Sequence, residues 1–489
     1  MLDVLSVENM RNSDAHTIET LVSGKELMLR AGKGIFGAVD WVPPVGIVCG
    51  SGNNAGDGYV LALLLHEKGI DVTLLLLSEK LSEDGRYYYE KCVESGIKWE
   101  KISENPDFSA YKTIVDCILG TGFHGAPRDN VAAVIDAINE SGSFVVSADI
   151  NSGLNGDTGM AEKCVRSDLS VSIGSFKPGH FLNMAKDVMK AKVNCDIGIA
   201  PVDKAYHLFE AEDARKAIPA RQNMSNKGTY GYVALIGGSL KYSGAIRLAS
   251  MANAAMKSGA GVAMAAVPKT LAPLVIPQIL ESTVYPMPDK DGEMVFDEAS
   301  LETLCKRVKT AAFGMGIGVT DETRRMLRYI LHHFDGTLIV DADGLTMLSE
   351  LDYADASCRL VLTPHLGEFS RLTKKSFAEI NEAPMEYAKA HGVTLLLKGP
   401  STIVTDGDEV YIVDRGSSGM ATAGSGDVLS GILAATCAYI PDPLTAASVG
   451  AYINGRAGEN AERALNPVSM TASDTVNAIP GVISDILYG

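Results

Sequence analysis

The stretch Gly416-Ser417-Ser418-Gly419-Met420-Ala421-Thr422-Ala423-Gly424-Ser425-Gly426-Asp427-Val428-Leu429-Ser430-Gly431 joins a glycine-rich loop to the opening of an apolar helix. Upstream of it, Val410-Tyr411-Ile412-Val413 is an apolar run that reads as a strand. Downstream, Val428-Leu429-Ser430-Gly431-Ile432-Leu433-Ala434-Ala435 reads as the first turns of a buried helix. Small residues let backbone amides approach a ligand closely, and a helix N-terminus presents free N–H groups and the positive end of its dipole. Strand, glycine loop and helix in this order suit an α/β fold that binds phosphate. Asp427 stands apart, a carboxylate where an anion would sit. It is either a first-turn acid favoured by the helix dipole or a base or substrate anchor beside a bound phosphate, and the stretch alone leaves these open.

The rest of the chain narrows the choice. Its 489 residues exceed one hydrophobic core and suit two or three domains. Lys and Arg total 43 against 60 Asp and Glu, a formal net charge of −17, which disfavours nucleic acid or an anionic membrane as partner. The eight cysteines are scattered without a CxxC pair or a Cys/His cluster, so they read as reduced thiols of a cytoplasmic protein, not as disulfides or a zinc site. The N-terminus lacks the basic region and apolar core of a signal peptide, and no long charge-free apolar run predicts a transmembrane helix.

From the start, residues 8–38 read as two helices and 45–49 as a buried strand running into Gly50-Ser51-Gly52-Asn53-Asn54-Ala55-Gly56-Asp57-Gly58, read as a glycine-rich loop. A helix follows from residue 59. Further strands are expected at 71–77, 113–116 and 144–149, with helices at 83–95 and 131–139. Alternation of strand and helix with short loops is the signature of a parallel sheet covered on both faces. It breaks near 196–225, where 203–214 is polar and reads as a connector. We therefore divide the chain into domains 1–212 and 213–489. Alternation restarts with a strand at 232–236, a helix at 245–257 and strands at 262–267, 310–313, 337–340, 360–363 and 393–397. Residues 401–413 read as an antiparallel hairpin, and no repeat relates the halves.

Three motifs in the first half fall at strand ends, the edge where open α/β sheets bind ligands. They are Gly50 to Gly58, Asp116-Cys117-Ile118-Leu119-Gly120-Thr121-Gly122-Phe123, and Asp149-Ile150-Asn151-Ser152-Gly153. Asn54, Asp116 and Ser152 offer hard oxygens, which suit a monovalent or hard cation better than zinc. Asp149 ends an apolar strand, where desolvation is expected to raise a carboxylate toward a general base's range. Together these motifs resemble the NAD(P)H-hydrate epimerase domain. The resemblance implies a Rossmann-like three-layer α/β/α fold and a hydrated dinucleotide held by Asn53, Asn54, Ala55, Gly56, Asp57, Gly120, Thr121, Gly122, Phe123 and Asp149. It also implies a potassium ion among Asn54, Asp116 and Ser152, with Asp149 as catalytic residue. Ala55 stands where the family has Gly, and Asn151 where it has Pro.

In the second half the motifs are Lys227-Gly228-Thr229-Tyr230-Gly231, Gly237-Gly238-Ser239, Tyr242-Ser243-Gly244-Ala245, Gly314-Met315-Gly316, Asp341-Ala342-Asp343-Gly344, Thr363-Pro364-His365-Leu366-Gly367-Glu368, Lys398-Gly399-Pro400-Ser401-Thr402 and the opening stretch. His365 lies in a loop with few structural reasons to hold it, and Lys398 is placed to face phosphate. This ordered set resembles the ribokinase-like ADP/ATP-dependent NAD(P)H-hydrate dehydratases, and the fusion resembles the bifunctional repair enzymes over essentially the whole chain. The resemblance implies that Lys398, Gly399, Pro400, Ser401, Thr402, Ser417, Gly419, Gly424, Ser425 and Gly426 hold ADP with Mg²⁺. Ala245, Gly316, His365, Gly367, Glu368, Arg371 and Asp427 would face the hydrated nicotinamide nucleotide. Met315 and Leu366 each replace a proline of the family.

The implied function is repair of the hydrates NADHX and NADPHX by a homo-oligomer. The first domain interconverts the R and S epimers at C6, and the second dehydrates the S epimer at the expense of ADP, with Asp427 as base. A different reading of the same glycine loop and Asp427 is a ribokinase-like small-molecule kinase fused to a dinucleotide-binding module. A third is a first domain that only binds or scaffolds.

Overall fold

The computed structural model describes residues 1–251, 255–375 and 383–489. The chain forms two compact units, Leu2–Tyr206 and, together with Met1, His207–Gly489.

In the first unit the strands Val45–Cys49 and Thr113–Cys117 are buried along their whole length, which only a sheet covered on both faces allows. They pair in parallel, with Cys49 opposite Cys117. The sheet runs Lys98–Lys101, Val72–Leu76, Val45–Cys49, Thr113–Cys117, Phe144–Ala148, Ser167–Ile173 and Met189–Cys195, parallel throughout. Strand order therefore reverses between Val45–Cys49 and Thr113–Cys117, and a crevice opens beyond their carboxyl ends at such a switch point. The helices Val7–Thr20, Gly24–Gly37, Glu83–Glu94 and Asp129–Glu140 occur where expected. The helix Asn53–Glu67 begins earlier than its apolar run indicated, so Asn53 to Gly58 form its first turns and not a loop. The strands Ser167–Ile173 and Met189–Cys195 extend the sheet beyond what periodicity indicated. Met189–Cys195 is the edge strand, with mostly exposed side chains.

In the second unit the strands Thr394–Leu397, Arg359–Leu362, Thr337–Val340, Thr310–Phe313, Tyr232–Ile236, Val262–Pro268 and Thr283–Met287 lie side by side in parallel. Thr402–Thr405 and Val410–Val413 add the expected antiparallel hairpin. His207 and Leu208 then pair in parallel with Tyr411 and Ile412. This corrects the reading of 203–214 as a connector. It contains the strand Tyr206–Leu208 and the start of the helix Ala211–Ala217, and Phe209 is buried against Tyr411 and Tyr452. The helix expected at 245–257 spans Ser243–Ser250, and residues 252–254 lie outside the described residues. The helices Ser425–Tyr439 and Pro443–Ala464 are buried on most of their surface, as Ala-rich and Gly-rich sequences permit. Strand order reverses again, here between Tyr232–Ile236 and Thr310–Phe313.

Candidate active sites

The switch point of the first unit opens into a cavity of about 570 Å³ lined by Asn53, Asn54, Asp57, Gly120, Thr121, Gly122, Phe123 and Asp149. Asp149 ends its strand in the left-handed backbone region, at φ 64, where a non-glycine residue is strained. Its carboxylate is gripped by the Lys177 ammonium and accepts from the Thr121 amide at 3.4 Å. Lys177 is only 1% exposed, and its Nζ also donates to Ile173 O at 2.9 Å. His180 completes the group. Its Nδ1 accepts from the Lys177 amide at 3.1 Å, so Nε2 carries the proton that goes to Asp149 O at 2.8 Å.

These contacts reverse one expectation. Burial alone would raise the Asp149 carboxyl, but the Lys177 charge and hydrogen bond outweigh it and hold the carboxyl below its ordinary value. His180 is pushed down to about 4, by burial and then by Lys177, and is neutral. Asp57 behaves oppositely. Burial and then the charges of Asp149 and Asp14 push it well up. Asp14 comes from the helix Val7–Thr20, lines the same cavity and is raised by burial and then by the Asp149 charge.

Asn54, Asp116 and Ser152 converge on Leu119. Asn54 Nδ2 donates to Leu119 O at 3.2 Å, the Leu119 amide donates to Ser152 Oγ at 2.8 Å, and Ser152 Oγ donates to Asp116 Oδ1 at 2.5 Å. Asp116 also accepts from Ser147 Oγ and from the amides of Ile118 and Ser152. Asn54 Oδ1 is buried without a hydrogen-bond partner. Asn151, in the family's proline position, is tied down by Nδ2 bonds to Val165 O and Val188 O, so the loop is held without the ring. Ala55 and Gly56 are buried in the helix behind the cavity.

In the second unit Gly424 precedes the helix Ser425–Tyr439 with φ 93. This places the amides of Ser425, Gly426 and Asp427 in the first turn, and Asp427 beside Lys398. Burial, then the Asp341 charge, push Asp427 up to about 7, while Lys398 pulls the other way. Lys398 Nζ bonds Asp341 Oδ1 at 2.9 Å and lies 3.8 Å from Glu368 Oε2. Ser430 Oγ donates to the other Asp341 oxygen at 2.7 Å. Burial works to raise Asp341, but Lys398 outweighs it and keeps the carboxyl ionised. Gly316 and Ala245 adjoin, since a Cβ on Gly316 would lie 3.1 Å from that of Ala245.

Several residues have local duties that the sequence concealed. His365 caps the helix Leu366–Thr373. Its Nδ1 accepts from the Gly367 and Glu368 amides at 3.0 and 3.3 Å, and Glu368 Oε2 accepts from the His365 amide at 2.8 Å. The loop thus has a structural reason to hold this histidine, although the ring remains 56% exposed on its side chain. Arg371 sits exposed on the same helix. Gly399 and Pro400 form the exposed turn after Lys398, Ser401 Oγ donates to Asp414 at 2.7 Å, and Thr402 opens the next strand. The Gly419 amide is occupied by Glu462 at 2.8 Å, which fixes the loop and leaves that N–H no free hydrogen for a ligand. Ser417 Oγ, by contrast, is buried without a partner.

Lys177, His180, Asp14 and Glu462 were not singled out from sequence. Lys177-Pro178-Gly179-His180 is a punctuated motif just past the strand Ser167–Ile173, a signal that was available. Asp341 opens the motif Asp341-Ala342-Asp343-Gly344, whose sequence alone gives it no role.

Two parallel-sheet units, each gathering titratable groups at its carboxyl-terminal edge, define a fused α/β enzyme with one candidate site in each unit. Residues 233–481 match the family described as NAD(P)H-hydrate dehydratase, and residues 24–179 the family described as YjeF-related protein N-terminus. A bifunctional NAD(P)H-hydrate repair enzyme of Pyrobaculum aerophilum is 34% identical over 459 residues, covering 89% of this chain and 88% of that one. Another, of Archaeoglobus fulgidus, is 33% identical over 494 residues and covers 99% of each. The second unit resembles the crystal structure of the ADP/ATP-dependent NAD(P)H-hydrate dehydratase from Bacillus subtilis co-crystallized with ATP/Mg²⁺. That match has a TM-score of 0.51 and 25% identity, over 57% of this chain and 99% of that one. This chain belongs to the family of bifunctional NAD(P)H-hydrate repair enzymes.

Proposed function

We propose that the chain returns both C6 epimers of hydrated NADH and NADPH to the intact coenzymes. The first unit is the epimerase and the second the ADP/ATP-dependent dehydratase, with ADP preferred and the S epimer as its substrate. The observation that supports this most is Asp427, a carboxyl poised near neutrality in the first turn of a glycine-led helix and next to a half-buried lysine.

Hydroxide is a poor leaving group, whereas phosphate is a good one. Asp427 takes the proton from the C6 hydroxyl as the hydroxyl oxygen attacks the terminal phosphorus of ADP, and the bond from that phosphorus to the bridging oxygen breaks to release AMP. The C6–O bond then breaks with phosphate carrying the electron pair, and loss of the C5 proton restores the dihydropyridine. Amides of the Gly424 turn and Lys398 stabilise charge on the transferred group. Mg²⁺ bound with the nucleotide would offset the negative charge of its phosphates.

In the first unit Asp149, kept ionised by Lys177, is the base that handles the hydroxyl or water proton during inversion at C6. Potassium fits the set of Asn54 Oδ1, which has no other partner, with the oxygens of Asp116 and Ser152. When bound it would supply fixed positive charge beside the strand-end loops that line the cavity. The eight free cysteines fit a reducing cytoplasm, and among the described residues no helix is long and apolar enough to cross a membrane. Assembly as a homo-oligomer is tested by light scattering on the full chain. The catalytic reading is tested by mixing resolved hydrates with ADP or ATP. Recovery of the reduced coenzyme from the S epimer with ADP is expected, and phosphorylation of an unrelated alcohol in its place would favour the small-molecule kinase reading.

A further inference from the structure

Asp341 is 2% exposed and lies between two elements that meet the proposed ligands. One of its oxygens binds Lys398 at the end of the strand Thr394–Leu397. The other accepts from Ser430, one turn along the helix from Asp427. The residue after it, Ala342, is held at φ 49, a strained conformation for a residue with a Cβ. Strain of this kind persists where the surrounding contacts over-determine the backbone. A Cβ built on Gly426 would lie 3.5 Å from Lys398 Nζ and 3.6 Å from Asp341 Oδ2, so the ion pair is seated directly against the first helical turn. Lys398 in turn approaches Glu368, whose other task is to cap the His365 helix.

We propose that Asp341 is a positioning residue of the dehydratase site, which locks Lys398 to the first turn of the Asp427 helix so that the cation and the base meet the two ligands as one rigid unit. The inference rests on the reading of Asp427 as the base and extends it to a residue that touches neither ligand. The charged groups facing Asp427 are Asp341 and Asp343, just past the strand Thr337–Val340, and Lys398, at the end of Thr394–Leu397 two strands away. Asp341 therefore acts in two ways. It fixes where Lys398 points, and its own charge opposes ionisation of Asp427.

Asp341→Asn removes that charge, which favours ionised Asp427, and loosens Lys398, which works the other way; the Asp341 charge is the larger of the two influences, so ionised Asp427 is favoured on balance. The acidic limb of the pH profile for nucleotide-dependent dehydration should move down by on the order of one pH unit. The plateau rate should fall about tenfold as the base weakens. An acidic limb left in place, with only thermal stability lost, would show Asp341 to be merely structural and overturn the proposal. If Asp341→Asn does not fold, Ser430→Ala decides. It keeps the charge and removes one tether, so the KM for ADP should rise about threefold or more with the limb unmoved, and an unchanged KM overturns the proposal. Asp427→Asn separates the two levels. If that variant dehydrates normally, the base assignment itself fails. If it is inactive while Asp341→Asn leaves the limb in place, only the role of Asp341 falls.

Discussion

Asp149 and Asp427 start with the same intrinsic acidity and are moved in opposite directions by what faces them. Asp149 meets a buried ammonium and stays ionised, whereas Asp427 meets burial and a second carboxylate and titrates near 7. The dehydratase rate should accordingly rise with pH through about 7 and level off above it, and initial rates across the neutral range check this. Epimerisation should show no such limb from Asp149. Because the Asp149 carboxyl is depressed, its contribution to stability is present above its ordinary value and lost as pH falls through the depressed one. Lys177→Met should cost about 3 kcal/mol, since it leaves a buried carboxylate without its partner, and chemical denaturation at neutral pH measures it. The direction of the Asp149 shift could not be read from sequence, because Lys177 lies 28 positions downstream and reaches back across the sheet edge. The position of Asp149 at a strand end was legible, and so was that of Asp427 beside the glycines.

At the scale of elements, first helical turns carry the chemistry. Gly424 holds φ 93, and a Cβ there would come within 2.3 Å of Leu248 Cδ1. Gly424→Ala should therefore displace the turn that presents Ser425, Gly426 and Asp427. A rise of about tenfold or more in the KM for ADP is expected by steady-state kinetics, with about 1–3 kcal/mol lost in stability. In the first unit, Asn54 contributes an unpartnered oxygen from the first turn of Asn53–Glu67. If the proposed potassium site is right, Asn54→Ala should remove the dependence of epimerisation on potassium, while loss of the bond to Leu119 O lowers the melting temperature equally in potassium and sodium, as paired assays in the two salts would show. The strands with continuous apolar runs were legible because burial on both faces writes itself into composition. Ser167–Ile173 and Met189–Cys195 were not, since serines and lysines interrupt an edge whose pairing is made by backbone. The capping role of His365 escaped for a related reason: its partners are the amides of the following residues, which have no sequence signature beyond Glu368 at the third position.

At the scale of the molecule, two doubly wound units each place their motifs at a switch in strand order. The order of motifs along the chain was enough to indicate both sheets, because the motifs follow strands, apart from the one at 227–231, which leads into Tyr232–Ile236. The limits of the units were less legible, since the strand Tyr206–Leu208 and the helix Ala211–Ala217 are short and polar and are stabilised by packing on Tyr411 and Tyr452. A fused pair of activities makes one demand that neither unit meets alone, complete recovery of a mixed pool. The most direct test supplies a defined mixture of R and S hydrates with ADP and Mg²⁺ and follows the absorbance of the reduced coenzyme. The wild-type chain should restore the whole pool, and Asp149→Asn should stop at the S fraction. Absence of recovery with either ADP or ATP, or complete recovery by Asp149→Asn at the wild-type rate, would contradict the account.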